Sequence, residues 1–272
     1  MNSYSVLMSL YKDEKPMFLS LSLKSILNQS IPPKEIVLVI DGPIGKDLKA
    51  VLVQFQEFLI LIQLSENHGL GYALAVGLER CSSQLVARMD TDDIAELTRA
   101  DIQLRYFKDH PELSVVGGNI MEFKASIKEQ GKLLKKVPQD NEAIQQFAKS
   151  RNPMNHMTVM FRKEDVLAAG NYQPFLGFED YYLWVRMLKE GYNFANVSKV
   201  LVYVRTDSKF ISRRRGFKYL KRELNFQKRL LSLRFITKKD YLKNVLIRCL
   251  LRLLPPRMLR LVYQKVMRAN VR

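Results

Sequence analysis

An α/β fold built on a doubly wound, mostly parallel sheet is predicted by three features of the sequence. Short β-branched apolar runs alternate with amphipathic helical stretches from the N-terminus as far as Asp90. The run Glu35-Ile36-Val37-Leu38-Val39-Ile40 is continuously apolar after its first residue, which suits a strand covered on both faces. Two runs end abruptly in polar residues, Asp41-Gly42-Pro43 and Asp90-Thr91-Asp92-Asp93. Open α/β sheets bind ligands just beyond the carboxyl ends of their strands.

The elements follow in order. Residues 5–9 form a short strand and 11–14 a polar turn. Residues 16–28 place Phe18, Leu19, Leu23, Ile26 and Leu27 at helical spacing, and Pro32-Pro33 breaks the chain behind them. Strand 35–40, helix 46–58, strand 60–64, loop 65–71, helix 72–81 and the strand that enters Asp90 complete a β-α-β-α-β-α-β run. Beyond it the pattern predicts helix 99–108, strand 113–117, a polar loop or hairpin over 124–137 and helix 140–149. Strand 158–161, helix 163–169 closed by Gly170, helix 180–190 closed by Gly191 and strand 200–204 follow. From Gly216 onward the pattern is helical and basic. Two amphipathic helices, over 241–254 and around Met258 to Val266, are separated by Pro255-Pro256.

The charge is uneven. The chain of 272 residues carries +17, yet Arg205 to Arg272 holds 21 Lys and Arg against three acids. The remainder, with 23 basic and 24 acidic residues, is close to neutral. A basic tail implies an anionic partner, nucleic acid or anionic lipid. Cys81 and Cys249 stand far apart in unlike contexts, which gives neither a disulfide framework nor a zinc site and fits a reducing compartment. No signal peptide and no membrane-spanning helix are expected.

Three clustered carboxylates at a strand end repel one another, and a hard divalent cation with a bound phosphate relieves that repulsion. Asp90, Asp92 and Asp93 are therefore candidate ligands for Mg²⁺ or Mn²⁺. An acidic N-cap of the next helix is the plainer alternative. Asp41 can accept from a base N–H or a sugar hydroxyl, or simply form an Asp-Gly turn. The loop around Asn67 and Gly69 can bring its backbone close to a pyrophosphate or sugar, though it lacks a phosphate-loop signature. Glu179 and Asp180 open an aromatic-rich helix. They read as helix-dipole partners or as a general base held among Tyr181, Tyr182 and Trp184. His156, in a loop before a strand, reads as a ligand of a diphosphate or metal, or as a structural histidine.

Taken together, Ser9-Leu10-Tyr11-Lys12, 25–30, 37–43, 67–73, 87–93 and 177–184 make the chain resemble bacterial family-2 glycosyltransferases of the GT-A fold. The resemblance is to the small enzymes of capsule, exopolysaccharide and O-antigen assembly, the amylovoran type among them, and runs from Ser5 to about Arg215. It implies a catalytic domain over 1–212, with a nucleotide-sugar half (1–98) and an acceptor half (99–212), and a basic helical tail over 213–272. It implies that Ser9, Tyr11 and Asp41 hold uridine. Asp90 and Asp92 would contact ribose and a metal on the diphosphate, with Asp93 sharing the metal, and Asp180 of the Glu179-Asp180 pair would be the base of an inverting transfer. Arg213, in Ser212-Arg213-Arg214-Arg215, would meet the pyrophosphate of a lipid-linked saccharide. The partners implied are a nucleotide-sugar donor, a lipid-linked acceptor and an anionic membrane surface at the inner face of the bacterial plasma membrane, without nucleic acid.

The chain departs from the family pattern at Ile40, where many relatives carry an acid, and near Leu97, where a proline is common. Without a Gln-x-x-Arg-Trp sequence, one sugar per acceptor is expected. Competing readings are a nucleic-acid-binding protein using the tail, a sugar-nucleotide nucleotidyltransferase, whose glycine- and basic-rich loop is replaced here by Tyr11-Lys12-Asp13-Glu14, and an inactive glycosyltransferase-like protein.

Overall fold

The computed structural model describes residues 3–206, 216–253 and 269–270. The first half is the expected run of β1 (Tyr4–Leu10), α1 (Pro16–Leu27), β2 (Glu35–Ile40), α2 (Lys46–Gln54), β3 (Leu59–Gln63), α3 (Leu70–Arg80) and β4 (Leu85–Arg88). These strands lie in the order β3-β2-β1-β4, all parallel, with Ser5 opposite Glu35 and Val86. Covering helices sort the apolar runs by parity. Ile36, Leu38 and Ile40 face α1 and α2, whereas Val37 faces α3 on the other side. Both faces are therefore buried, which is why the run needs no polar alternation.

The second half makes the sheet mixed. It comprises β5 (Ile94–Ala95), α4 (Arg99–Asp109), β6 (Leu113–Phe123), β7 (Leu133–Lys135), α5 (Asn141–Ala148), β8 (Met160–Arg162), α6 (Lys163–Ala168), α7 (Glu179–Lys189) and β9 (Asn193–Arg205). β8 joins β4 and β6 by antiparallel pairing, and β6 runs parallel to β9. The loop over 124–137 is a hairpin, with β7 folding back on β6. Strand β6 continues well past Gly117, where the sequence pattern stopped. The glycines at 117 and 118 are interior positions at which a side chain would strike Asn196 and Leu201 of β9. Strand β9 likewise starts before residue 200, and β5 is too short to register as a pattern.

Two helices follow, α8 (Gly216–Ser232) and α9 (Lys238–Leu253), with a short β10 (Ala269–Asn270) beside β7. Helix α8 is built into the core. Phe226 is fully buried, stacked on Phe178 at 4.7 Å and against Phe175 and Tyr181. Arg229 donates to Tyr182 Oη at 2.6 Å, and Asn244 of α9 donates to Lys149 O and Gln227 Oε1. Among the described residues no helix is long and apolar enough to cross a membrane. The second tail helix of the sequence reading and Arg213 lie outside the described residues.

Candidate active site

A cleft of about 550 Å³ opens beyond the carboxyl ends of β1, β2 and β4, where strand direction reverses into β8. Ser9, Tyr11, Asp41, Asn67, Gly69, Asp90 and Asp92 all line it. Asp41 ties two walls together. Its Oδ1 accepts from His68 N–H at 2.8 Å and its Oδ2 from Gly69 N–H at 2.9 Å, while Asn67 Nδ2 donates to its carbonyl at 3.2 Å. Gly42 makes this junction possible. It has φ +88°, and a Cβ there would lie 2.8 Å from Asn67 N. The turn reading of Asp41-Gly42 and a cleft-lining carboxylate thus coexist, because a carboxylate keeps lone pairs beyond those the two N–H groups occupy.

Asp90, Asp92 and Asp93 bring one oxygen each to within 4.8 Å of one another. They cap no helix. They lead into β5, and α4 begins only at Arg99, so the N-cap alternative is excluded. The turn is braced from below, with Ser22 Oγ donating to Asp90 O at 2.8 Å and Thr91 Oγ1 donating to Glu14 Oε2 at 2.7 Å. Asp93 is buried and accepts from Arg205 N–H at 2.9 Å. Burial first, then Asp90 and Glu14, pushes the Asp92 carboxyl up to about 7. Burial, Asp90 and Asp92 hold Asp93 well above the usual carboxylate range. Three oxygen donors with mutual repulsion fit a hard divalent cation, which would relieve the cost of keeping all three ionised.

Asp180 does not line this cleft. It sits in the first turn of α7, and its Oδ2 accepts from Asn152 Nδ2 at 2.6 Å. Asp180 is half-buried, and burial raises its pKa against the Asn152 hydrogen bond, the Tyr181 backbone hydrogen bond and the Arg88 charge. Glu179 is buried in the seam between α7 and α3. Its Oε2 accepts from Gly177 N–H at 2.9 Å, and its side chain fills the space a Cβ on Gly71 would need. His156 is buried beside Trp184, with its Nε2 3.0 Å from Tyr172 Oη. Burial and then Arg88 keep it neutral, with a pKa far below the usual histidine range. Neither Glu179 nor His156 reaches the cleft wall.

Sequence reasoning missed four side chains, three of them in the cleft. Glu14, Lys15 and Arg205 line the cleft. Arg205 ends β9, which its pairing with β5 brings alongside Asp92. Its guanidinium is clamped between Phe18, at 3.9 Å, and Phe123, at 4.6 Å. Only the position of Arg205 after a β-branched run pointed to a strand end. Arg88, one residue before Met89-Asp90, is fully buried and ion-paired with Asp90.

The sequence profile of glycosyl transferase family 2 matches residues 5–167. The amylovoran biosynthesis glycosyltransferase AmsE of Erwinia amylovora is 43% identical, over 96% of this chain and 98% of its own. A UDP-Gal:α-D-GlcNAc-diphosphoundecaprenol β-1,3-galactosyltransferase of Escherichia coli is 33% identical, over 97% of this chain and 96% of its own. Among solved structures, the mannosyltransferase PcManGT of Pyrobaculum calidifontis, in complex with GDP-Man and Mn²⁺, superposes with a TM-score of 0.64 at 14% identity, covering 94% of this chain and 71% of its own. That likeness bears on the fold, which is GT-A.

Proposed function

We propose, for a chain that belongs to glycosyl transferase family 2, that it moves one sugar from a nucleotide donor, UDP-linked, to a lipid-linked saccharide. The observation that carries the reading is the convergence of Asp41 and the acid pair Asp90 and Asp92 on one cleft. Ser9, Tyr11 and Asp41 bind the nucleoside, and the Asn67–Gly69 backbone approaches the ribose and phosphates. Asp90, Asp92 and Asp93 would hold Mn²⁺ or Mg²⁺, and a cation held there would supply positive charge against that of the departing diphosphate. Arg205, held by contacts with the Phe18 and Phe123 rings, offers a preorganised fork to the same phosphates.

Asp180, at the start of α7 and outside the lining of the donor cleft, takes the proton from an acceptor hydroxyl that approaches from that side. The freed oxygen attacks the anomeric carbon as its bond to the phosphate oxygen breaks, the nucleoside diphosphate leaves, and the configuration inverts. A nucleotide donor and a lipid diphosphate acceptor are what the E. coli relative's name records for that enzyme, and the near-complete overlap of the two chains supports carrying the class across.

The tail supports docking at the inner face of the bacterial plasma membrane. Helix α9 turns Asn244 and Arg248 inward, to Gln227, Glu223 and the backbone after α5. It leaves Leu242, Leu246 and Leu250 outward at 60–66% exposure beside Lys239 and Lys243. An apolar stripe flanked by lysines suits an anionic lipid surface. Binding to anionic vesicles and to RNA at matched salt separates the two anionic partners. Tight RNA binding without vesicle binding would favour the nucleic-acid reading. The broader test is a thermal-shift panel of nucleotide sugars with Mn²⁺. A UDP-sugar should raise the melting temperature by mass action, and a panel without any stabiliser would refute the donor assignment.

A further inference from the structure

Strand β4 sends alternate side chains to opposite cores. Leu85 and Ala87, followed by Met89, face α1 and α4, and Val86 faces the core of Tyr172, Trp184 and α7. Arg88 shares the parity of Val86, so a guanidinium is placed on the face covered by α7. Its side chain is 2% exposed. One nitrogen, Nη2, pairs with Asp90 Oδ1, whereas Nε and Nη1 are buried without a hydrogen-bond partner among the described residues.

The neighbouring buried arginine, Arg99, is different. Its Nε donates to Gln103 Oε1, its Nη1 meets Met89 Sδ, and its Nη2 donates to the carbonyls of Arg88 and Val159. Every guanidinium nitrogen of Arg99 has a partner. Leaving donors of a buried cation unmet opposes folding, so packing does not account for Arg88. Arg88 stands between two acids: it is paired with Asp90 in the donor cleft, and the face of β4 that it occupies is covered by α7, whose first turn carries Asp180. The Arg88 charge lowers the Asp180 pKa, against the larger effect of burial.

We propose that Arg88 is a positioning residue for sugar transfer, a buried cation that grips Asp90 from beneath the donor cleft and sets the field on Asp180 across the same wall. This rests on the reading of Asp90 and Asp180 as donor-side and acceptor-side acids. The groups that act on Asp180 come from every side. Asn152 donates to it, Arg88 on β4 and Lys135 on β7 favour its ionised form, and Tyr172, Glu179 and Tyr181 lie in its surroundings.

The test compares full-length wild type, Arg88→Met and Arg88→Lys. Methionine fills similar space without charge, and Asp90, at 32% side-chain exposure, can be solvated when its partner is removed. Arg88→Met should therefore melt no lower than wild type. With UDP-galactose or UDP-N-acetylglucosamine and Mn²⁺, its kcat should fall ~30-fold or more, and the acid limb of its kcat/KM profile should move to higher pH. Arg88→Lys should return the limb toward its wild-type position while recovering only part of kcat, because a point charge lacks the fork. A kcat for Arg88→Met within about threefold of wild type would overturn the proposal. So would a loss matched by lower melting in both variants with the limb unmoved.

A second arm needs no substrate. Carbon-13 carboxyl NMR, with Asp180 assigned by Asp180→Asn, should show Asp180 titrating at higher pH in Arg88→Met. An unchanged titration overturns the role of Arg88 even if wild type transfers no sugar, the outcome that would instead sink the glycosyltransfer reading.

Discussion

Removing one carboxylate from the acid cluster should make the protein more stable at alkaline pH, and the structure sets the size of the effect. Asp92 has its carboxyl raised from 3.8 to about 7 by burial, Asp90 and Glu14. Between those values the unfolded chain has already lost the proton that the folded chain retains. Folding stability therefore falls as pH rises from about 4 to about 7 and is level above. At about 1.4 kcal/mol per pH unit the full interval corresponds to about 4 kcal/mol, and screening of a partly exposed group reduces it to about 2 kcal/mol.

Roughly 60% of that falls between pH 5 and pH 8, or about 2–5 °C in melting temperature for a domain of this size. The assay is differential scanning fluorimetry of wild type and Asp92→Asn in EDTA at both pH values. Asp92→Asn should gain on wild type from pH 5 to pH 8, and Mn²⁺ at pH 8 should raise wild type more than the variant. If the two proteins differ by the same amount at both pH values, the carboxylates do not burden one another and the metal-site argument loses its electrostatic basis.

Asp180→Asn should retain donor affinity in calorimetry while kcat drops by about 10²–10⁴, the usual range for a lost general base. An equal loss of donor binding would remove Asp180 from that role. Because burial raises the Asp180 pKa, turnover should fail on the acid side at a pH above the ordinary carboxylate range; a profile flat to pH 4 would contradict this. Arg205→Ala should weaken UDP binding by about 10–100-fold and leave uridine binding nearly unchanged, since only the diphosphate offers the fork an anion. Phe226→Ala should cost about 3–5 kcal/mol in a single cooperative urea transition, because the ring is fully buried in the α7 core. A separate early transition of the tail would show instead that α8 is peripheral.

The parallel half of the fold was legible because its signals are local. Strand β2 is an unbroken apolar run, α1 has its apolar residues at helical spacing after Pro16, and Asp41 and Asp90 mark the strand ends. The mixed half was less legible. The sequence pattern ends a strand at Gly117, yet Gly117 and Gly118 lie within β6, where β9 approaches too closely for side chains. That is a tertiary cause with no local trace. The acid cluster was visible as a cluster, but its exclusion from helix capping needed the pairing of β5 with β9. Arg205 joins the cleft from more than a hundred residues away through that same pairing, and no spacing rule predicts it. The tail is amphipathic by its sequence pattern. The sequence did not show which face turns inward, and in α9 the polar Asn244 faces the protein while the leucines face out.

The most direct measurement is the mass of a polyprenyl-diphosphate saccharide after incubation with full-length protein, Mn²⁺ and a panel of UDP-sugars. The acceptor should gain the mass of a single sugar residue with one of the donors, with release of UDP, and should gain nothing with Asp180→Asn. An acceptor unchanged by wild type with every donor, or extended equally well by Asp180→Asn, would contradict a transfer run from this cleft with Asp180 as its base.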